Sequence, residues 1–213
     1  EIRLSLVGSE MCIRDRAQAA KSSEEIRTPW AQLRQNARQF YPLHDRYAGG
    51  ALNLQLLAAI RTMADRYLAS LGYPEAAPEL VPVDASLSVP VYLEMKKSNG
   101  APLLWVMLSA SRESDAGILE SNVFDGNIAE EDAFGAVHSD DLLELKNEDL
   151  ATQILFGSAE PPRFLLFISL NQIALIDRNK WSEKRYLQFE LEDLFSRLEL
   201  TTCLLYTSPS PRD

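Results

Sequence analysis

The sequence predicts an α+β (or α/β) chain in which a helical N-terminal part packs on a mixed β-sheet. Three observations predict it. Apolar residues recur at helical spacing over the first third of the chain. The period then switches to two, and paired apolar runs follow around tight turns. A helical segment separates the two hairpins, which is the order of elements a mixed sheet needs.

The first helix spans 28–47. Thr28 suits the N-cap and Pro29 the first helical position. Trp30, Leu33, Ala37 and Phe40 or Tyr41 follow on one face, and Gly49-Gly50 ends the run. The second helix spans 51–71, with Leu52, Leu56, Ile60, Met63, Tyr67 and Leu71 in one stripe. Gly72 is its stop, and Pro74 follows.

Val89, Val91, Leu93 and Met95 then alternate with Pro90, Tyr92, Glu94 and Lys96, the pattern of a half-buried strand. Ser98-Asn99-Gly100 is a tight turn. The return strand, 102–108, is continuously apolar and so more deeply buried. Between Ser111 and Asp149 stand twelve Asp or Glu and two basic residues, Arg112 and Lys146. That difference equals the whole formal charge of −10, so the rest of the chain is neutral. Such a block predicts a solvated insertion with one short helix near 140–146. It would repel a phosphate backbone. A helix over 147–156 ends at Gly157, and Pro161-Pro162 introduces a strand at 164–169. Asn171-Gln172 turns the chain into a return strand at 173–176. A strand at 186–189 and a helix at 190–198 complete the pattern. The expected organisation is a helical part, 17–79, and an α/β domain, 80–202, carrying the acidic insertion 111–149.

Both ends read as translated sequencing adapter. Residues 6–15 back-translate to a DNA element whose reverse complement, in a shifted frame, reads as Cys203 to Asp213. One element in two orientations accounts for both, so residues 1–16 and 203–213 are expected to lie outside the fold. Deleting them should leave thermal stability within about 0.5 kcal/mol, the range for changes away from packed features. A loss of several kcal/mol would show that they are structural. Cys12 and Cys203 both fall in these segments. The remaining chain has no cysteine, which excludes thiolate chemistry and suits a reducing, cytoplasmic setting. No apolar run approaches the ~18 residues of a membrane span.

The chemically most suggestive set is Asp84 followed, ten residues on, by Glu94-Met95-Lys96. An acidic residue before a Glu-x-Lys pair is the pattern of metal-dependent nucleases with a restriction-nuclease-like fold. Asp84 and Glu94 would hold Mg²⁺ through oxygen. The ion activates water and stabilises charge on the scissile phosphate. Lys96, two residues along the strand, emerges on the same face as Glu94 and can stabilise developing charge. The competing reading is that Glu94 and Lys96 are solvated charges on the polar face of a strand. A second segment, 176–187, holds Arg178, Lys180, Lys184 and Arg185 with Trp181 and Tyr186. It reads either as a DNA-contacting loop or as a loop pinned by its aromatics, with Asp177 and Glu183 pairing neighbouring cations. His44 and His138, far apart in sequence, read as helix-end and loop residues. The three tryptophans are scattered and read as packing. Gly-rich nucleotide loops and Gly-x-Ser-x-Gly elbows do not occur.

Leu71-Gly72-Tyr73, Val89-Pro90-Val91, the run 99–106, Pro161-Pro162-Arg163-Phe164, Asp177 to Trp181 and Arg185-Tyr186-Leu187 together carry a resemblance. Over most of residues 28–202 the chain resembles the N-terminal region of large bacterial DNA adenine methyltransferases of the type IIG-like restriction–modification and phage-defence group. The resemblance implies a following domain that binds S-adenosylmethionine, with DNA as partner of the full-length protein. The family's Asn-Pro-Pro-aromatic methylation motif does not occur here; the one Pro-Pro follows Glu160. The resemblance therefore assigns no residue of this chain to methyl transfer. It implies a nuclease-derived module, active or decayed. The alternative is a non-catalytic scaffold that docks onto the methyltransferase domain.

Overall fold

The computed structural model describes residues 29–47, 54–85, 87–109, 117–122 and 145–196. Among the described residues three helices, α1 (Pro29–Gln35), α2 (Ala37–Tyr47) and α3 (Leu54–Ser70), precede the strands. A two-stranded antiparallel sheet follows, formed by β1 (Glu79–Pro82) and β2 (Ser88–Val91). The main sheet has five strands in the order β3 (Leu93–Lys96), β4 (Pro102–Leu108), β5 (Phe164–Ile168), β6 (Gln172–Asp177), β7 (Tyr186–Glu190). β4 and β5 are parallel and the other neighbours antiparallel, so the sheet is mixed. A parallel pair needs a long crossover. α4 (Asn147–Gly157) lies on it, a one-turn α5 (Arg178–Trp181) joins β6 to β7, and α6 (Leu191–Ser196) follows β7.

Helices cover the main sheet on both faces. Along β4, Trp105 and Met107 pack with Leu150, Ala151, Ile154 and Leu155 of α4. Their neighbours Leu104, Val106 and Leu108 pack with Phe40, Met63, Tyr67, Leu68 and Phe195 from α2, α3 and α6. Each fully buried aliphatic or aromatic side chain contributes ~1.5–3 kcal/mol. This is why β4 and β5 show no polar face. The helices share their apolar cluster with the sheet, and the expected boundary at 79/80 falls inside β1.

Several elements end where their sequence signals place them. Gly72 adopts φ +83°. Tyr73 N–H donates to the Leu68 carbonyl at 2.9 Å and Gly72 N–H to Ala69 at 3.1 Å, which is a Schellman stop. Asn99 Oδ1 accepts from the Ala101 amide at 3.2 Å, and Gly100 takes φ +84° to close the β3–β4 turn. Strand β4 and helix α4 match their predicted spans, α4 running one residue further.

Other expectations are corrected. The single helix 28–47 is two helices, broken at Asn36, whose buried amide donates to Ser70 Oγ at 3.0 Å. Leu71 is 40% exposed because α3 has already ended. The predicted strand through Val89–Met95 divides at Tyr92 between the two sheets. Pro90 and Tyr92, read as outward-facing, are buried, and the Tyr92 hydroxyl donates to Asp65 Oδ1 of α3 at 2.6 Å. β1 was not legible: Pro78 and Pro82 flank a stretch that is mostly exposed, so it has no alternation.

The acidic insertion is anchored at both ends. Ile118 and Leu119 are each 2% exposed, and Asn122 bridges Lys146. Asn147, fully buried, donates from Nδ2 to the Ile118 carbonyl at 2.7 Å and to Ser109 Oγ at 3.0 Å. Its backbone amide donates to the Ser121 carbonyl at 2.9 Å. Residues 117–122 and 145–149 thus belong to the packed structure. Lys146 is extended (φ −77°, ψ 151°), so no helix passes through it. The remainder of the insertion, including 140–144, lies outside the described residues, as do Thr28, Leu52, His138, both terminal segments, and the side chains of Trp30 and Leu56.

Candidate active site

Strand β3 forms one edge of the main sheet, and its Glu94 and Lys96 emerge on the same face, as their spacing predicts. Lys96 Nζ lies 2.8 Å from Glu94 Oε2. The other oxygen, Oε1, accepts from Trp105 Nε1 at 3.0 Å. Trp105 is directly opposite Glu94 in the β3–β4 register, so the indole that fills the core also holds the carboxylate in place. The Glu94 side chain is 11% exposed and that of Lys96 57%.

Glu79, at the start of β1, lines the same cleft as Glu94. Pairing of Glu79 with Val91 places it at the end of the hairpin nearest β3. Glu160, from the α4–β5 connection, completes a set of three carboxylates around Lys96. These four residues line one open cleft of about 410 Å³, walled by Pro82, Val83, Pro102 and Trp105. A second cleft of about 490 Å³ shares Gly100, Pro102 and Glu160 with it and carries Lys97, Arg163 and Arg178.

Burial raises the Glu94 pKa. The hydrogen bonds from Lys96 and Trp105 and the Lys96 charge lower it by more, so the carboxyl sits below the usual carboxylate range. Lys96 is held above the ordinary lysine value, first by its bond to Glu94. At neutral pH the pair is an ionised carboxylate beside an ammonium.

Asp84 is not among the described residues lining this cleft. Its Oδ1 accepts from the Leu87 amide at 2.8 Å, closing the β1–β2 turn. The hairpin separates it from Glu79 by roughly 15 Å of extended chain. The structure thus joins Glu94 to Lys96 as expected but places Glu79, and not Asp84, beside them. Neither the partnership of Glu79 nor that of Trp105 was foreseen. A signal for the tryptophan existed, since residues 94 and 105 face each other across a turn centred on Asn99-Gly100.

The segment 176–187 is anchored by its tryptophan, while Asn179, Lys180 and Ser182 to Arg185 are exposed. Trp181 is 2% exposed, and its Nε1 donates to Thr152 Oγ1 at 3.0 Å. Asp177 caps α5 by accepting from the Asn179 amide. It is also held by Arg163, whose Nη2 donates to Oδ2 at 3.0 Å while Nε lies 2.8 Å from Oδ1. Lys184 pairs with Glu148 and lies 4.7 Å above the Trp181 ring. Arg185 pairs with Glu183 at 3.1 Å. Arg178 donates to the Pro161 carbonyl at 3.2 Å while lining the second cleft, and Lys180 is exposed. His44 stacks on Phe40 in α2, a packing role.

Glu79 and Glu94 are hard oxygen donors of the kind Mg²⁺ takes, and both Glu94 oxygens are engaged within the chain, one by Lys96 and one by Trp105. No group of three or more His, Cys, Asp or Glu side chains is placed to hold a metal among the described residues. None of the described helices is long and apolar enough to cross a membrane. Compared with protein-family models, curated proteins and solved structures, the chain gives no significant match.

Proposed function

We propose that this chain is a nuclease-derived, DNA-facing module of a restriction–modification or phage-defence DNA adenine methyltransferase. In this reading methyl transfer, with S-adenosylmethionine, belongs to a further domain. The observation that carries the proposal is the convergence of Glu79, Glu94 and Lys96 in one cleft at the edge of a mixed sheet. Glu79 and Glu94 would hold Mg²⁺, which supplies activation of water and charge stabilisation when bound. Trp105 fixes the Glu94 carboxylate so that its position does not depend on the ion. Lys96, more than half exposed, is the cation able to move from Glu94 to a phosphate oxygen. Lys97 and Arg178 in the adjoining cleft supply positive charge along a strand path. Lys97, Arg178 and the exposed Lys180 are the leading DNA contacts in this reading, because Arg163, Lys184 and Arg185 are each paired with a carboxylate, Asp177, Glu148 and Glu183.

One observation favours the scaffold reading. Both Glu94 oxygens are already engaged within the chain, one by Lys96 and one by Trp105. A decayed site stabilised as an internal ion pair would look the same.

Cleavage of supercoiled plasmid by the full-length protein separates the two. The nuclease reading expects cleavage with Mg²⁺ or Mn²⁺ and none with EDTA. Glu79→Ala should then reduce it at least a hundredfold while Asp84→Ala leaves it within a few-fold. Wild-type protein that cleaves no DNA under either metal selects the scaffold. Cleavage lost with Asp84→Ala and kept with Glu79→Ala would reinstate the sequence assignment.

A further inference from the structure

A larger cleft than that of the carboxylates is lined by the helices that precede the strands. It is an open groove of about 1120 Å³ between the α1–α2 junction and the C-terminal half of α3. Arg34 and Arg38 line it from either side of the Asn36 break, and Arg66 and Ser70 line it from α3. Its other lining is almost wholly amide, including Gln39, and no carboxylate lines it among the described residues. Three guanidinium groups without an interposed acid are notable in a chain of formal charge −10.

The groove is built, not incidental. Asn36 and Ser70 are 6% and 8% exposed and joined by the 3.0 Å bond from Asn36 Nδ2 to Ser70 Oγ. Ser70 in turn donates to the Arg66 carbonyl at 2.7 Å. This buried polar link sets the floor and fixes α1 and α2 against α3. Arg34 and Arg38 stand four residues apart across the break, one on each helix. Pro42 adds a second irregularity, since it cannot return the helical bond to the Arg38 carbonyl. A pocket for an apolar small molecule is lined mainly by aliphatic and aromatic side chains. This one offers guanidinium forks, the groups that recognise phosphate oxygens. Its size exceeds one phosphate and suits a stretch of backbone.

We propose that this helical groove binds the phosphodiester backbone of nucleic acid through Arg34, Arg38 and Arg66. The site is independent of the carboxylate cleft and of metal. It does not require that the Glu94 centre cut DNA.

The test is fluorescence anisotropy of the intact chain with a labelled 20-base-pair duplex, in EDTA, over a range of salt. Each lost phosphate contact lowers the slope of log affinity against log salt by ~0.9 for duplex DNA. Arg34→Gln with Arg38→Gln should lower the slope by about two and weaken binding at least tenfold at low salt. Arg66→Gln should lower it by about one. Arg38 and Arg66 are exposed, so these variants should keep the wild-type circular dichroism. Lys146→Gln, in the acidic stretch, is the comparison variant and should change binding less than threefold. Unchanged binding in the arginine variants, or equal losses in the lysine variant, overturns the assignment. So does tight binding of inorganic triphosphate, measured directly, with no binding of the duplex, which would make the groove a small-anion site.

Discussion

Asn147→Asp is expected to destabilise the protein by on the order of 4 kcal/mol at pH 7. Asn147 is fully buried, and its Nδ2 donates to the Ile118 carbonyl and to Ser109 Oγ. Aspartate removes both donors and sets a carboxylate against a carbonyl oxygen. An unsatisfied buried hydrogen-bonding group costs ~1–3 kcal/mol, and a buried unpaired charge more. The residue opens α4, where the helix dipole favours a negative charge by ~0.3–1 kcal/mol, too little to reverse the sign. The loss has a defined pH dependence. Burial raises the native pKa of the introduced carboxyl above its unfolded value of about 3.9. Relative to wild type, the variant should therefore be closest to normal near pH 4 and lose stability as pH rises through the native pKa. Asn147→Ala should cost ~2–3 kcal/mol with no such dependence. Denaturant unfolding of the three proteins at pH 4.5 and 7 decides it. Equal stability of Asn147→Asp and wild type at pH 7 would show that the anchor of the acidic segment is not structural.

The second large effect concerns Glu94. On the nuclease reading proposed above, Glu94→Gln and Glu94→Ala should each reduce metal-dependent cleavage on the order of a thousandfold, while methylation by the further domain of that reading is retained. Their stabilities should differ. Glutamine still offers an acceptor to the Trp105 indole, whereas alanine leaves that buried N–H without its partner, at a cost of ~1–3 kcal/mol. The ordering of stability, Gln above Ala, holds whether or not the site cuts DNA, so it tests the geometry separately from the chemistry. Wild-type stability should also carry an acid limb. The native Glu94 pKa is lowered, so its contribution is complete above the unfolded value of about 4.3 and is lost as pH falls through the native one. Glu94→Gln should lack that component. An alanine variant as stable as the glutamine variant would remove Trp105 from the account of the site.

Local chemistry made much of the fold legible. The Gly72 stop, the Asn99-Gly100 turn, the span of β4 and the helix from Asn147 to Gly157 each follow from residues within a few positions of one another. The pairing of Glu94 with Lys96 was legible for the same reason, since alternate residues of a strand share a face. β1 was not, because an exposed four-residue strand between prolines has no periodicity to read. Reading Pro90 and Tyr92 as exposed failed because alternation assumes one strand with one covered face, whereas here the chain passes from the two-stranded sheet to the five-stranded one with apolar clusters on both sides.

By itself, the sequence determined the mixed α+β class, most of the elements and the Glu-x-Lys pair on one strand. Only the tertiary structure decided which acid joins that pair. Asp84 and Glu79 are both carboxylates upstream of Glu94, five residues apart. One closes the far turn of the hairpin, and the other is carried to the site by its pairing with Val91. It likewise decided that Lys184 and Arg185 are held by Glu148 and Glu183 while Arg34, Arg38 and Arg66 gather around one groove. The physical reason is common to both. A charge is available for function or committed to structure according to which partners the fold brings within about 4 Å, and those partners lie on other elements.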